Sequence, residues 1–355
     1  MSPLRAILLP FSLLYHAATA LRNHLFDIGH KKSFQFEIPV IGVGNLSVGG
    51  SGKTPTIEYL IRLLRPKFKI ATLSRGYGRN TKGLRYATEG DNAKSLGDEP
   101  FQIFRKFKEE VKVVVSEDRA FAIPNLMNEY PEVSVVLMDD ALQHRSVKPH
   151  FQILLTDYST PFFKDFILPT GRLRESRLGA SRADAVVVTK CPEDISDSRR
   201  AYFIKSIKKH SGDKPIFFSY VDYGSAAPIW DNELAITRKV VLLSGIAKPK
   251  AFEKYAKSQF EVVKHYSYAD HHHYTESELQ QIRRHLLRSK KPLSLLTTEK
   301  DMVRLIDARH ASILSDLQCF YLPIQVSFKE SGAEFDKLVV TSVEKALRSQ
   351  DVVDE

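Results

Sequence analysis

Cysteine is scarce in this 355-residue chain: Cys191 and Cys319 stand far apart and outside any C-x-x-C spacing. Their scarcity excludes a disulfide framework or a thiolate zinc site, and it fits a reducing cytosol. A bilayer-spanning hydrophobic run is also missing. Pro10, Ser12 and His16 interrupt the apolar N-terminal segment, and Arg22 closes it short of the roughly 20 residues a spanning helix needs. Internal repeats and low-complexity tracts are absent. Acidic residues are in deficit, 42 against 52 lysines and arginines, and the resulting net charge of +10 calls for an acidic partner. Nucleic acid, an anionic membrane or a phosphorylated small molecule would each satisfy it. No recognition helix or aromatic platform accompanies the charge, so nucleic acid is not expected among the partners.

What is present is a succession of short β-branched runs alternating with helical patterns, the mark of β-α-β units around a parallel sheet. The early runs cover residues 40–43, 70–73, 111–115 and 133–138; later ones fall at 152–155, 185–188, 216–219, 240–243, 260–263, 293–296 and 320–326. These are too many for one ordinary sheet, and 43% hydrophobic content can fill two cores. The expected fold is α/β, a phosphate-loop kinase-like parallel sheet with helices on both faces plus a second, smaller α/β/α domain. We place the first domain at 1–150 and the second at 151–327, with a C-terminal helix in 328–355 returning to the first. A cut near 225 is the alternative.

The segment VGNLSVGGSGKT, Val43 to Thr54, follows the first run and precedes Ile57, Leu60, Ile61 and Leu64 at helical spacing. Glycines let backbone N–H groups converge on an anion, and the helix N-terminus beyond favours negative charge. Ser47, Val48, Gly49, Gly50, Ser51 and Gly52 would form the cradle. Lys53 would reach the β and γ phosphates, and Thr54 would hold Mg²⁺. Ser47 stands where the strict phosphate-loop pattern has glycine. A partner carboxylate is expected at the end of an apolar strand, and Asp139-Asp140 supplies two. Thr189-Lys190-Cys191-Pro192 is similar to the guanine reader N-K-x-D but has Pro192 where the aspartate belongs, so ATP is the expected nucleotide.

Other stretches stay open on residue chemistry alone. Asp98 in Gly97-Asp98-Glu99-Pro100 suits a helix N-cap as well as a catalytic base. Asp270-His271-His272-His273 suits a solvated loop, a metal tract or a base oriented by its own aspartate. Ser74 to Arg79, SRGYGR, suits an anionic sugar or a basic turn. At the N-terminus, Arg5, an apolar run and Ala18-Thr19-Ala20 mimic a secretory signal, but a nucleotide-binding chain belongs where nucleoside triphosphates are. We read residues 3–29 as a membrane-surface helix flanked by Arg5, Arg22, Lys31 and Lys32. A helix packed on the protein's own core has the same periodicity.

Taken together, VGNLSVGGSGKTP, LSRGYGR, GDEP, MDDALQHR, LPTGRLRE, ADAVVVTK, SGIAKP, YADHHHYT and TTEKD, in this order, resemble the tetraacyldisaccharide 4′-kinase family of lipid A biosynthesis over nearly the whole chain. The resemblance implies a peripheral kinase on the cytoplasmic face of the inner membrane. It would transfer the γ-phosphate of ATP to the 4′-hydroxyl of an acylated glucosamine disaccharide 1-phosphate. It implies two α/β/α domains joined by a β-stranded linker near residues 151–157 and 319–327. It also implies that Asp98 is the base with His271 assisting, that Asp139 and Asp140 serve metal and nucleotide, and that Glu175 is a further metal ligand. Gln143 and His144 complete the MDDALQHR motif. Arg75, Tyr77, Arg172, Arg174 and Arg177 would meet the sugar, its 1-phosphate or lipid headgroups. Thr170, Arg172 and Lys248 depart from the family pattern, where alanine, proline and asparagine are common. The alternative from another class is a nucleotide-driven switch or metal-insertion chaperone with the histidines as cargo ligands.

Overall fold

The structure is a computed structural model that describes residues 3–230 and 235–351. Eight strands build the larger sheet: β1 (Val40–Asn45), β2 (Ile70–Ser74), β3 (Arg85–Tyr86), β4 (Val111–Val115), β5 (Val135–Asp139), β6 (Phe151–Asp157), β7 (Ala185–Thr189) and β8 (Ile216–Phe218). Their order is β3-β4-β2-β5-β1-β6-β7-β8, parallel except for β3. All six residues of β1 are buried, as a central strand covered on both faces requires. The register sets Val40 beside Val136 and Gly42 beside Gln152, and Val43 pairs with Asp139, so β5 ends beside the last residues of β1 before the loop.

The expected division at residue 151 does not hold. The runs at 151–157, 185–189 and 216–218 extend the first sheet from the free side of β1, with Ile41 to Asn45 pairing with Phe151 to Leu155. Buried parallel strands read alike whichever sheet they join, so their count gave no order. The expected linker is likewise shifted. An antiparallel ribbon of β9 (Tyr220–Tyr223) and β15 (Ile324–Ser327) connects the sheets, whereas 151–157 lies inside the first. The second sheet combines β10 (Ala227–Pro228), β11 (Lys239–Ser244), β12 (Glu261–Ser267), β13 (Ser294–Thr298) and β14 (Cys319–Leu322) in the order β10-β14-β13-β11-β12.

Helices α1 (Pro3–Asp27), α2 (Lys53–Leu64), α3 (Ala93–Leu96), α4 (Asp98–Phe107), α5 (Arg119–Glu129) and α6 (Asp197–Ser211) accompany the larger sheet. The smaller one has α7 (Pro249–Gln259), α8 (Glu276–Arg288), α9 (Glu299–Leu305) and α10 (Ala308–Leu314). The last helix, α11 (Gly332–Asp351), buries Phe335, Val339 and Val343 in the same core as Ile57, Leu60, Ile61 and Leu64 of α2. Residues 352–355 of the expected C-terminal segment lie outside the described residues. Phe335 is fully buried and stacks on Phe328 at 4.2 Å between ring centroids. Its truncation to alanine removes an aromatic ring from a close-packed site, and the expected cost is about 3–5 kcal/mol, read as a lower urea midpoint at unchanged slope. A midpoint equal to the wild type would show that α11 contributes nothing to this core.

Candidate active site

The loop from Leu46 to Gly52 turns β1 into α2, and its glycines take conformations that side chains resist, Gly49 at φ 106° and Gly52 at φ 87°. Two neighbours brace it. Thr189 Oγ1 donates to Ser51 O at 2.8 Å and Lys190 Nζ donates to Gly50 O, so the Thr-Lys pair after β7 supports the loop backbone. On the other side the segment 172–174 runs against the loop, with Val48 N donating to Arg172 O and Arg174 N to Leu46 O, both at 2.8 Å.

At the end of β5 the two adjacent carboxylates have different surroundings. Asp140, in the left-handed region at φ 51°, is 3.3 Å from Lys53 Nζ and receives Arg174 through both oxygens at 2.7 and 2.8 Å. Burial opposes its charge, but the bonds from Arg174 and the charge of Lys53 hold its carboxyl well below the usual carboxylate range. Asp139 is pushed up to about 6 chiefly by burial, with Asp140 and Glu99 adding to the rise and Lys53 and Arg119 opposing it. Beneath them lies Arg119, 1% exposed, donating to Asp139 O at 2.8 Å and Asp140 O at 3.4 Å; burial depresses its pKa to about 10. The sequence reading missed Arg119 because one arginine at a helix start carries no mark of burial.

These groups suit Mg²⁺. The Thr54 hydroxyl and Asp139 Oδ2 carry no hydrogen bond among the described residues, both are hard oxygen donors, and no cation forms an ion pair with Asp139 among the described residues. Glu175, expected as a further metal ligand, is already engaged by protein groups. Its oxygens are taken by Arg182, Gln143 and Asn23 at 2.8–2.9 Å, and its side chain is buried among them. The charge-assisted pair with Arg182 satisfies it without a metal.

Across the cleft, Asp98 opens α4 after Gly97, which is itself the N-cap with φ 94°. The Asp98 carboxylate therefore does not cap its own helix; it reaches residues of the second sheet. Arg304 donates to its Oδ2 through Nε at 2.9 Å and an Nη at 2.6 Å, and His271 Nδ1 lies 3.3 Å from the same oxygen. Burial alone would raise Asp98, but these bonds and the charges of Arg304 and Lys300 hold it at about 2. Arg304, on α9, was also missed; the TTEKD motif ends three residues before it. Glu99, next to Asp98, is close enough to Asp139 to help raise its pKa, so the start of α4 lies near the end of β5.

The remaining candidates divide. Tyr77 is 73% exposed and meets the His271 ring edge-on at 5.7 Å. Arg75 is exposed, with no hydrogen bond or ion pair among the described residues. Arg172 pairs with Asp165 at 2.9 Å and Arg177 donates to Asp165 O at 2.7 Å, so neither is held free for a ligand. The consecutive histidines diverge: His272 pairs with Glu278 at 3.0 Å and stacks on Tyr268, while His271 turns to Asp98. Among the described residues no cluster of three or more metal-binding side chains occurs. Lys248 crosses from the second sheet to Asp157 Oδ1 at 2.8 Å, an ionic contact that asparagine at this position would not make.

A parallel sheet that presents a phosphate loop at its central strand, with a carboxylate of its own domain met by a histidine from the second, defines a phosphate-loop kinase acting on a separate acceptor. Comparison with known proteins narrows the class. The family model for tetraacyldisaccharide-1-P 4′-kinase matches residues 4–344, and the chain belongs to that family. It is 46% identical to the tetraacyldisaccharide 4′-kinase of Flavobacterium johnsoniae, over 98% of this chain and 99% of that one. It is 39% identical to the same-named protein of Bacteroides thetaiotaomicron, covering 96% and 94% of the two chains. A crystal structure of the "apo" form of LpxK from Aquifex aeolicus in complex with ATP superposes with a TM-score of 0.74 at 30% identity, covering 96% of this chain and 99% of that one.

Proposed function

We propose that the chain transfers the γ-phosphate of ATP to the 4′-hydroxyl of an acylated glucosamine disaccharide 1-phosphate while lying on the cytoplasmic face of the inner membrane. The observation that carries the reading is Asp98, supplied by the first sheet and clamped by residues of the second, with its neighbour Glu99 near enough to Asp139 to act on its charge. Asp98 takes the proton of the acceptor hydroxyl, and His271 donates to and orients Asp98. Lys53 leaves Asp140 for the β and γ phosphates, and Arg174 keeps Asp140 paired when it does. Thr54 and Asp139 hold Mg²⁺, which when bound neutralises charge on those phosphates. Tyr77, exposed beside His271, and Arg75, exposed on the same loop, would meet the sugar and its 1-phosphate. The test is transfer of labelled phosphate from ATP to a detergent-solubilised acylated disaccharide 1-phosphate. ATP hydrolysis that leaves every such acceptor unlabelled would sink the reading.

The membrane part rests on α1. Its inner face is fastened by Ser12 to Ile167 O and Thr170, by Tyr15 to Arg174 O, and by Arg22 to Gln143 O. Its outer face leaves Ile7, Phe11, Leu14 and Leu21 at 67%, 59%, 71% and 61% exposed. No helix among the described residues is long and apolar enough to cross a membrane, and the exposed apolar face supports a helix that lies along the bilayer surface. Aspartate at both Ile7 and Leu14 removes burial of about 3–6 kcal/mol. Sedimentation with vesicles containing anionic lipid is expected to fall to background. Binding equal to the wild type would show that this face does not meet the bilayer.

A further inference from the structure

Every hydrogen bond that the described residues make to the Asp98 side chain falls on one of its oxygens. Oδ2 accepts from Arg304 twice and faces His271 Nδ1, while Oδ1 accepts nothing. We propose that Arg304 and Lys300 of α9 are positioning residues for the transfer, saturating Oδ2 and fixing the His271 tautomer so that Oδ1 alone meets the acceptor hydroxyl. The inference rests on the assignment of Asp98 as the base.

Arg304 is built to stay where it is. Its side chain is 4% exposed, and its remaining Nη donates to Gly245 O at 3.1 Å and Asp301 Oδ1 at 2.9 Å. Asp301 is fully buried and receives Tyr274 Oη at 2.9 Å, Gly245 N at 3.0 Å and Thr298 Oγ1 at 2.7 Å. A guanidinium fixed by a satisfied buried network is a rigid anchor, and its planar fork dictates the plane of the carboxylate it grips. Lys300 Nζ lies 3.0 Å from His271 Nε2 and is held by Glu99 at 3.1 Å and Asp270 at 3.5 Å. An ammonium has donors only, so Nε2 must accept, which places the ring proton on Nδ1, directed at Asp98. Both positioning residues come from the second sheet and the base from the first, so Asp98 is oriented only when the two are together.

The reaction balances on this arrangement. The acceptor oxygen bonds to the γ-phosphorus as the bond from that phosphorus to its bridging oxygen breaks, and the bond's electron pair leaves with ADP. The hydroxyl proton passes to Asp98 Oδ1 and then to solvent. A carboxylate clamped by cations is a weak base, as its low pKa reflects. That suffices in a loose transition state, where the hydroxyl becomes acidic only as its new bond forms. Orientation is then the contribution at stake.

The test compares Arg304→Gln, Arg304→Lys, Lys300→Met and Asp98→Asn in the labelled transfer assay across pH, with binding of a fluorescent ATP analogue as the check on folding. Arg304→Gln is expected to lower kcat by about 10–100-fold with KM for ATP nearly unchanged, a part of the about 10²–10⁴-fold a general base supplies. Removing the guanidinium charge raises the pKa of Asp98, which still faces Lys300, His271 and Glu99. The base is then protonated at higher pH than before, and the acid limb of kcat moves upward. Arg304→Lys is expected to restore the wild-type limb and part of kcat. A nucleotide-binding Arg304→Gln variant with kcat and acid limb like the wild type would overturn the proposal. Should that variant not fold, Lys300→Met decides, a lowered kcat supporting the proposal and an unchanged one overturning it. An active Asp98→Asn would instead remove the base assignment itself.

Discussion

Phosphate transfer by Lys53→Ala is expected to fall by about 10³-fold or more, with KM for ATP raised as well. Loss of one fixed cation from a phosphoryl-transfer site removes charge stabilisation that grows towards the transition state, and single groups of this kind carry about 10³–10⁵-fold in related chemistry. The loop should survive the change. Its backbone is braced by Thr189, Lys190 and the segment 172–174, and Asp140 keeps Arg174, so no buried charge is left unpaired. Steady-state transfer rates, with urea unfolding as the control, check it. A folded variant within tenfold of the wild type would mean that another cation, Arg174 being the nearest to Asp140, takes the phosphates.

The phosphate loop was legible because its chemistry is local. Glycines, lysine and threonine sit in one stretch between an apolar strand and an amphipathic helix, and Ser47 in the first glycine position does no harm where the residue forms a bridge with Leu173. Asp139 and Asp140 were legible for the same reason, but their division of labour was not. It depends on Arg174, 34 residues away in sequence, and on Arg119 buried below. Asp98 and His271 stood out only through the family resemblance, since each had a plain structural reading. Arg304 gave no signal at all: it lies 206 residues from Asp98, and only the fold brings it there. Strand order was lost similarly. Phe151 to Asp157 is a wholly buried run that would suit either sheet, and pairing with β1 is a tertiary choice. The partner of Glu175 was not legible, because a carboxylate close in sequence to arginines looks the same whether it meets a metal or, as here, Arg182.

Asp98→Asn is expected to cost about 10²–10⁴-fold in kcat while leaving KM for ATP close to the wild-type value. Asparagine keeps the shape of the side chain and still offers one oxygen to Arg304, so the turn after Gly97 and the first turn of α4 need not move. What is lost is the second oxygen's ability to accept a proton, and nothing nearby replaces it. His271 is held between Asp98 and Lys300, and Glu99 is engaged by Lys300 at 3.1 Å. The wild type keeps Asp98 ionised down to about pH 2, so its own activity should show no acid limb from this group at neutral or mildly acidic pH. His271→Gln should be milder than Asp98→Asn, because Arg304 still holds Oδ2 when the imidazole is gone. If Asp98→Asn kept more than a tenth of the wild-type kcat, the proton would have another destination, and the clamp on Oδ2 would be structural only.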